Sequence, residues 1–448
     1  MRSLVLLLLA AAAACAPRPL APLDADAAPT LAIVGASVLP MDGPGERVLE
    51  NQTVFVRAAR IVQVGPAGRM RVPTGAQRVD GRGKWIIPGL VDMHVHINRP
   101  AEGGERDLPL YLANGVTTVR NMRGTADHLT LRARVQSGAL PGPTIYTAGE
   151  YVDRYPQDTP VERIVFEQKA DGYDIIKIHD QGFPRARYEA LARAARAQGM
   201  PLVGHVPREA GVETAAREGH QTMEHVEDLM QVFFSMQLDT ARFPALVSAL
   251  RGSRTCVVPT LVVFNYVVRH ADEFPQLANL MARLELRYVR PALRGRWSPE
   301  INSYVTRMRQ RATEVPAMAA RNREQLDFMR AMTGALHHGG IPLAAGSDAG
   351  IPFTLPGYSL VEELHFLHGA GLTRYQTLRA ATRTAAECMG KADEFGAITP
   401  GLRADLLLLD RDPRADLSAV ADPAGVLVRG QWLPRAELRR LLESVAQP

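Results

Sequence analysis

Six side chains in this sequence are of types that hold metal ions, and each sits where a short apolar run ends. His94 and His96 stand in PGLVDMHVHI, Lys177 in YDIIKIHD, His205 in PLVGHV, His225 in TMEHV and Asp348 in PLAAGSDAG. Residues two apart on a strand face the same way, so His94 and His96 are placed to grip one ion together. Imidazole suits zinc and similar divalent ions. Lys177 lies inside an apolar stretch, where an unpaired ammonium is costly to bury and its pKa falls towards the neutral amine. A neutral amine adds carbon dioxide to give an anionic carbamate, a group able to bridge two cations. His205 and His225 end consecutive strands and suit a second ion. Asp348 ends the last strand, where a carboxylate touches both a metal and its water. Singly, these residues also read as core histidines, a salt-bridged lysine and a capping aspartate. Together they predict a hydrolytic site in which hydroxide, available at neutral pH between two metal ions, attacks a carbonyl. Asp348 then acts as general base and afterwards as general acid to the departing amine.

Such residues need strands that end at one face. Eight apolar runs supply them: WIIPGLVDMHVHI, GVTTVRNM, PTIYTAG, DIIKIHD, PLVGHV, QTMEHV, TCVVPTLVV and IPLAAGSD. Between several lie amphipathic stretches such as RYEALARAARAQGM, with apolar residues at helical spacing. The alternation predicts an α/β fold, a (β/α)8 TIM barrel over 89–395, with its active site at the C-terminal strand ends. Residues 265–335 (QLANLMARLELRYV, then AMAARNREQLDFMRAMTGALHH) read as a helical excursion over or beside the mouth. Residues 31–88 and 396–448 show alternating apolar positions broken by turn signals, which predicts one small β-sandwich domain built from both ends.

The 448 residues leave room for both parts, and 46% hydrophobic with 22% charged residues is globular composition. The net charge of +5 does not indicate nucleic acid: no run of five or six basic residues occurs, and arginines alternate with acids. Residues 1–15, ending AAAAAC, read as a secretory signal of lipoprotein type with Cys15 as the lipid site; a plain signal cut at Ala-x-Ala is the alternative. Residues 16–30, rich in Pro and Ala, read as a tether. The expected location is therefore outside the cytoplasm, periplasmic or held at a membrane through lipid alone. Cys256 and Cys388 make no disulfide framework, and Cys256 in TCVVPTLVV reads as a buried small hydrophobe.

The pattern PGLVDMHVH, a fourth-strand Lys, GH, EH and GSDAG resembles the amidohydrolase superfamily, within it the imidazolonepropionase-like and prolidase-like metal-dependent members. The similarity extends through LANGVTTVR to the closing ATRTAAECMG and GAITPGLRADLLLLD. It implies two divalent ions, zinc by ligand type: His94, His96 and Asp348 on one, His205 and His225 on the other, with carboxylated Lys177 between them. The implied substrate is a small molecule with an amide C–N bond: a dipeptide, an N-acyl amino acid or a cyclic amide. A lactonase or esterase on the same metals is the alternative, followed by a mononuclear deaminase and a non-catalytic binding lipoprotein. A homo-oligomer is compatible. The chain departs from the pattern at TTVRNMRG, where Asn121 and Arg123 replace Asp-x-Gly-Gly, and after TAGEY, where Gly-His-Gly is missing. Candidate substrate contacts are His179, Tyr151, Arg154 and Tyr266; His220, His337 and His338 read as structural or solvated.

Overall fold

The computed structural model describes residues 30–447. The signal, Cys15 and all but the last residue of the tether lie outside that range. Seven short strands run through the middle of the chain: β1 (Leu90–Val95), β2 (Val116–Asn121), β3 (Thr144–Thr147), β4 (Ile176–Ile178), β5 (Leu202–Gly204), β6 (Thr222–Glu224) and β7 (Cys256–Val258). All are parallel to their neighbours: β1-β2-β3 form one sheet and β4-β5-β6-β7 another. Every residue in them is buried, as expected for strands covered on both faces. A parallel bridge between Ala148 and Ile175 joins the two sheets.

The eighth apolar run forms no regular strand. Residues 343–349 instead make single parallel bridges, Leu343 to Val257 and Ala349 to Val95. Backbone bonds from Met93 N to Ala345 O (3.0 Å) and from His96 N to Ala349 O (2.7 Å) tie the segment to β1. Its small residues permit this approach: a Cβ on Gly346 would lie 2.6 Å from the Val258 side chain and 3.1 Å from His94 N. Strand neighbours thus follow chain order, and the last run returns to the first.

Helices on this scaffold include α1 (Val226–Val232), α2 (Leu261–Asp272), α3 (Val315–His338) and α4 (Arg383–Cys388). The second half of the excursion is the long helix the sequence predicts. The first half is not: 276–289 holds one helical turn, Ala278–Met281, and a 3-10 segment, Leu284–Tyr288. Leu277, Leu280, Leu286 and Val289 are buried in a cluster with Tyr266, Trp297 and Phe353, a packing that one continuous helical face does not provide. Tertiary burial overrides propensity there.

The two ends of the chain meet in one sheet. Its path runs Gln431–Pro434, Gly425–Val428, Leu406–Leu409, Trp85–Pro88, Leu31–Val38, Leu49–Arg57, Arg60–Pro66, with Gln77–Asp80 also paired to Leu31–Val38. The halves join where Leu406–Leu409 lies antiparallel to Trp85–Pro88. The strands expected in two packed layers belong to a single hydrogen-bonded sheet, mostly antiparallel, with parallel pairing of Leu31–Val38 to Gln77–Asp80 and Trp85–Pro88. The run WIIPGLVDMHVHI serves both parts. It breaks at Gly89, whose Cβ position would lie 2.1 Å from Thr117 Oγ1, so only glycine passes between the terminal sheet and β1.

One expectation fails outright. Cys256 and Cys388 are joined by a disulfide, with S–S 2.03 Å and Cα atoms 5.9 Å apart. They are 132 residues apart in sequence, with no motif linking them. The fold brings the first residue of β7 against the last of α4, which sequence spacing does not disclose. Among the described residues no helix is long and apolar enough to cross a membrane.

Candidate metal centre

The six predicted ligand residues converge on one cavity of about 790 Å³. His94 is on β1 and His96 just after it; Lys177 is central in β4, and His205 and His225 directly follow β5 and β6. Asp348 belongs to the bridging segment, its N–H donating to His94 O at 2.7 Å.

Three of these residues form a tight group. His94 Nε2 lies 3.3 Å from His96 Nε2 and 3.4 Å from Asp348 Oδ1, and His96 Nε2 is 3.1 Å from the same oxygen. A tetrahedral ion with bonds of about 2.0–2.1 Å spaces its ligand atoms about 3.3–3.4 Å apart. The group fits a divalent ion on that measure, and it is the cluster of His and acid side chains among the described residues that meets the geometry of a metal site.

The other ring nitrogens show why these imidazoles aim inward. His94 Nδ1 faces Glu224 Oε2 at 2.9 Å, and Glu224 Oε1 accepts from Arg120 Nη2 at 2.6 Å. His205 Nδ1 faces Asp228 Oδ2 at 2.8 Å. His225 Nδ1 donates to Thr260 Oγ1 at 2.7 Å, because that hydroxyl already gives its proton to Pro259 O. Each Nε2 is left with its lone pair, the arrangement that fixes a metal-binding tautomer. Burial pushes His94 and His205 well below the usual imidazole range and lowers His225 to about 4. Neutral imidazole is the form that ligates.

Lys177 is 1% exposed, and its Nζ has no hydrogen-bond partner. Burial brings its ammonium down to about 8, against the opposing pull of Glu224, Asp348 and Asp228. An orphaned buried amine is costly, and its conversion to a carbamate would give it a role. His225, Thr260 and Asp348 have φ of 63°, 49° and 51°, a left-handed region that is uncommon for non-glycine residues.

Of the predicted substrate contacts, His179 and Tyr151 line the cavity, stacked with ring centroids 4.6 Å apart. Arg123 lies over Tyr151 and is neutralised by Glu150 through two bonds of 2.9 Å. The departure at Asn121 is structural: its Oδ1 accepts from Ile97 N (3.0 Å), and its Nδ2 donates to Thr147 Oγ1 (3.0 Å). Arg154 is exposed and does not line the cavity. Tyr266 is 1% exposed and bound through its hydroxyl to Glu362 at 2.7 Å. It sits on the face of α2 buried under the excursion, while Val263 and Tyr304 face the cavity instead. His220 is buried beneath the site, bound to Tyr188 Oη (3.1 Å) and Gly204 O (3.2 Å); His337 and His338 lie outside the cavity.

Sequence reasoning missed Glu224, Arg120, Asp228 and Thr260 as supports, and Arg208, Glu227, Gln231 and Tyr304 as cavity walls. A signal existed for the first two. Arg120 and Glu224 are opposite charges within apolar strand runs and needed a partner.

Residues 85–433 match the amidohydrolase family. The chain belongs to that family. This amidohydrolase is a hydrolase of carbon–nitrogen bonds on an α/β fold of TIM-barrel type. It is 24% identical over 377 residues to an uncharacterized protein of Mycobacterium tuberculosis, covering 78% of this chain and 85% of the relative. It is 24% identical over 445 residues to the imidazolonepropionase of Stenotrophomonas maltophilia, covering 85% and 91%. Among solved structures it is similar to the bottromycin amidohydrolase (TM-score 0.72, 26% identity, covering 94% and 92%). It also superposes on a Xaa-Pro dipeptidase with methionine in its active site (TM-score 0.69, 19% identity, covering 90% and 99%); at that identity the likeness concerns the fold.

Proposed function

We propose that this amidohydrolase is a binuclear metal hydrolase that cleaves the amide bond of a small, peptide-like substrate outside the cytoplasm. The observation that carries the reading is Lys177: a buried amine without a partner, in the same cavity as four histidines and Asp348. His94, His96 and Asp348 would hold one divalent ion, zinc by donor type, and His205 and His225 the other. Lys177, carboxylated by carbon dioxide with loss of a proton, would lie between them. Ions held there supply polarisation of the scissile carbonyl and a water acidic enough to attack near neutral pH.

The chain's own residues do the rest. Asp348, near the end of the bridging segment and facing the cavity, is the base that accepts the attacking water's proton and returns it to the leaving nitrogen. Glu224, Asp228 and Thr260 keep the imidazoles oriented. Tyr151 and His179 form an aromatic wall for the substrate, and Tyr304 closes the side towards the excursion. The amide reading draws on the family and on two relatives, an imidazolonepropionase and a bottromycin amidohydrolase.

The same proposal extends to the fold and the location. The eight parallel runs close as a barrel, with residues 31–88 and 396–448 forming the accessory sheet domain. The Cys256–Cys388 disulfide suits an oxidising compartment, which supports export; the lipid anchor at Cys15 is part of the same reading. The test is metal content in the chain lacking residues 1–15, supplied with zinc and bicarbonate, beside Lys177→Met. Two ions in the parent and fewer in the variant are expected. One ion in both would make Lys177 structural and the reaction mononuclear.

A further inference from the structure

Arg208 lines the cavity and Arg123 packs over Tyr151 at its wall, and the two differ in how their charge is met. Arg123 is neutralised by its two bonds to Glu150. Arg208, which lines the cavity, makes no salt bridge; its side chain bonds only to neutral amides, Nε to Gln181 Oε1 at 3.0 Å and Nη2 to Gln231 Oε1 at 3.5 Å. Its backbone N–H is also fixed, donating to Gln181 O at 2.8 Å. The guanidinium is thus steered by neutral amides at the solvent-exposed mouth and meets no acid of the described residues. Its planar fork matches a carboxylate.

An acid without a cationic partner among the described residues lies beside it. Glu227, in the first turn of α1, lines the same cavity and has no cationic partner; its Oε1 accepts from Gln231 Nε2 at 2.8 Å. Gln231 thus turns its oxygen to Arg208 and its nitrogen to Glu227, four residues back on the same helix. This neutral spacer keeps the acid and the base from pairing with each other. A cavity wall that holds a guanidinium and a carboxyl without joining them suits a ligand carrying both signs.

We propose that Arg208 binds the carboxylate and Glu227 the ammonium of a zwitterionic substrate, so that this site takes unblocked dipeptides rather than N-acylated amino acids or cyclic amides. The inference rests on the amide-hydrolase reading above and narrows it. Neither side chain takes part in bond breaking; both set which molecules are held over the reacting centre.

The test uses the full chain loaded with zinc and bicarbonate, and four probes: Ala-Leu, N-acetyl-Ala-Leu, Ala-Leu amide and the doubly blocked peptide. Calorimetry gives Kd, replaced by KM wherever product forms. Ala-Leu should bind best, with about tenfold or more lost for each blocked end, as for a charged hydrogen bond. Arg208→Gln should weaken only the probes with a free carboxylate, Glu227→Gln only those with a free amine, and Arg208→Lys should restore part of the first loss. Equal affinity for all four probes, a uniform loss in either variant, or no binding of Ala-Leu overturns the inference. Selective binding without hydrolysis would leave this recognition standing and defeat the amide-hydrolase reading. Hydrolysis that ignores blocking would do the reverse.

Discussion

The two sides of the metal centre are built differently. On the β1 side, His94, His96 and Asp348 place three ligand atoms within 4.8 Å of one another, at separations that already suit an ion. On the β5–β6 side, the His205 and His225 rings approach with centroids 4.9 Å apart; Asp228 meets His205 at Nδ1, and among the described residues no acid completes a group of metal-site geometry there. The lone buried amine of Lys177 is what that side has instead. One half has the spacing of a metal site as the chain folds; in the proposed reading, carboxylation of Lys177 would supply the anion that the other lacks. Burial serves both, by keeping imidazoles neutral and by bringing an amine towards its reactive form.

The comparison is broken most severely at Asp348. Asp348→Asn should lower kcat by about a thousandfold or more, in the upper range for lost proton transfer together with a lost ligand charge; a loss under tenfold in a steady-state assay would remove it from the mechanism. The asymmetry itself is sharpened by the supports. Glu224→Gln should weaken the first ion and Asp228→Asn the second, each by about 10- to 100-fold, as judged by competition with a chelator. Equal weakening of both ions by either variant would mean that the two halves are one unit.

A smaller effect concerns how the second half forms. Carboxylation needs neutral Lys177 and dissolved carbon dioxide, so at a fixed carbon dioxide concentration its rate should rise with pH up to about 8 and then level. Below that, each pH unit should slow metal uptake about tenfold, while uptake by the first site stays less affected. Stopped-flow metal binding at two bicarbonate concentrations reads this directly.

The smallest effect is on stability. His220 is buried in neutral form, lowered by burial from 6.5 to about 4 in the folded chain. Between those values the unfolded chain binds the proton and the folded one does not, so stability is lost as pH falls through that window. His220 should account for about 3 kcal/mol of that loss, read as the difference in pH dependence between the metal-free protein and His220→Gln in denaturant melts.

How much was legible follows from the range of each interaction. The convergence of the six candidate ligand residues could be read because each signal is local: an apolar run carrying or ending in a ligand type. The helix Val315–His338 was legible for the same reason. Tyr266 and Arg154 were misplaced because nearness to a strand end in sequence does not fix which face of the following segment looks inward. The Cys256–Cys388 bond and the Glu224–Arg120 pair depend on contacts across 132 and 104 residues, and no spacing rule reaches so far.

The sequence by itself therefore determined the alternating elements, the metal-binding residue types and the chemistry they share, since these follow from composition and period along the chain. Only the tertiary structure decided which imidazole nitrogen faces the site, that the eighth run approaches as bridges and not as a strand, and that Arg208 and Glu227 stand unpaired on one wall. Those outcomes are set by packing between distant segments, where the position of one side chain is the boundary condition for the next.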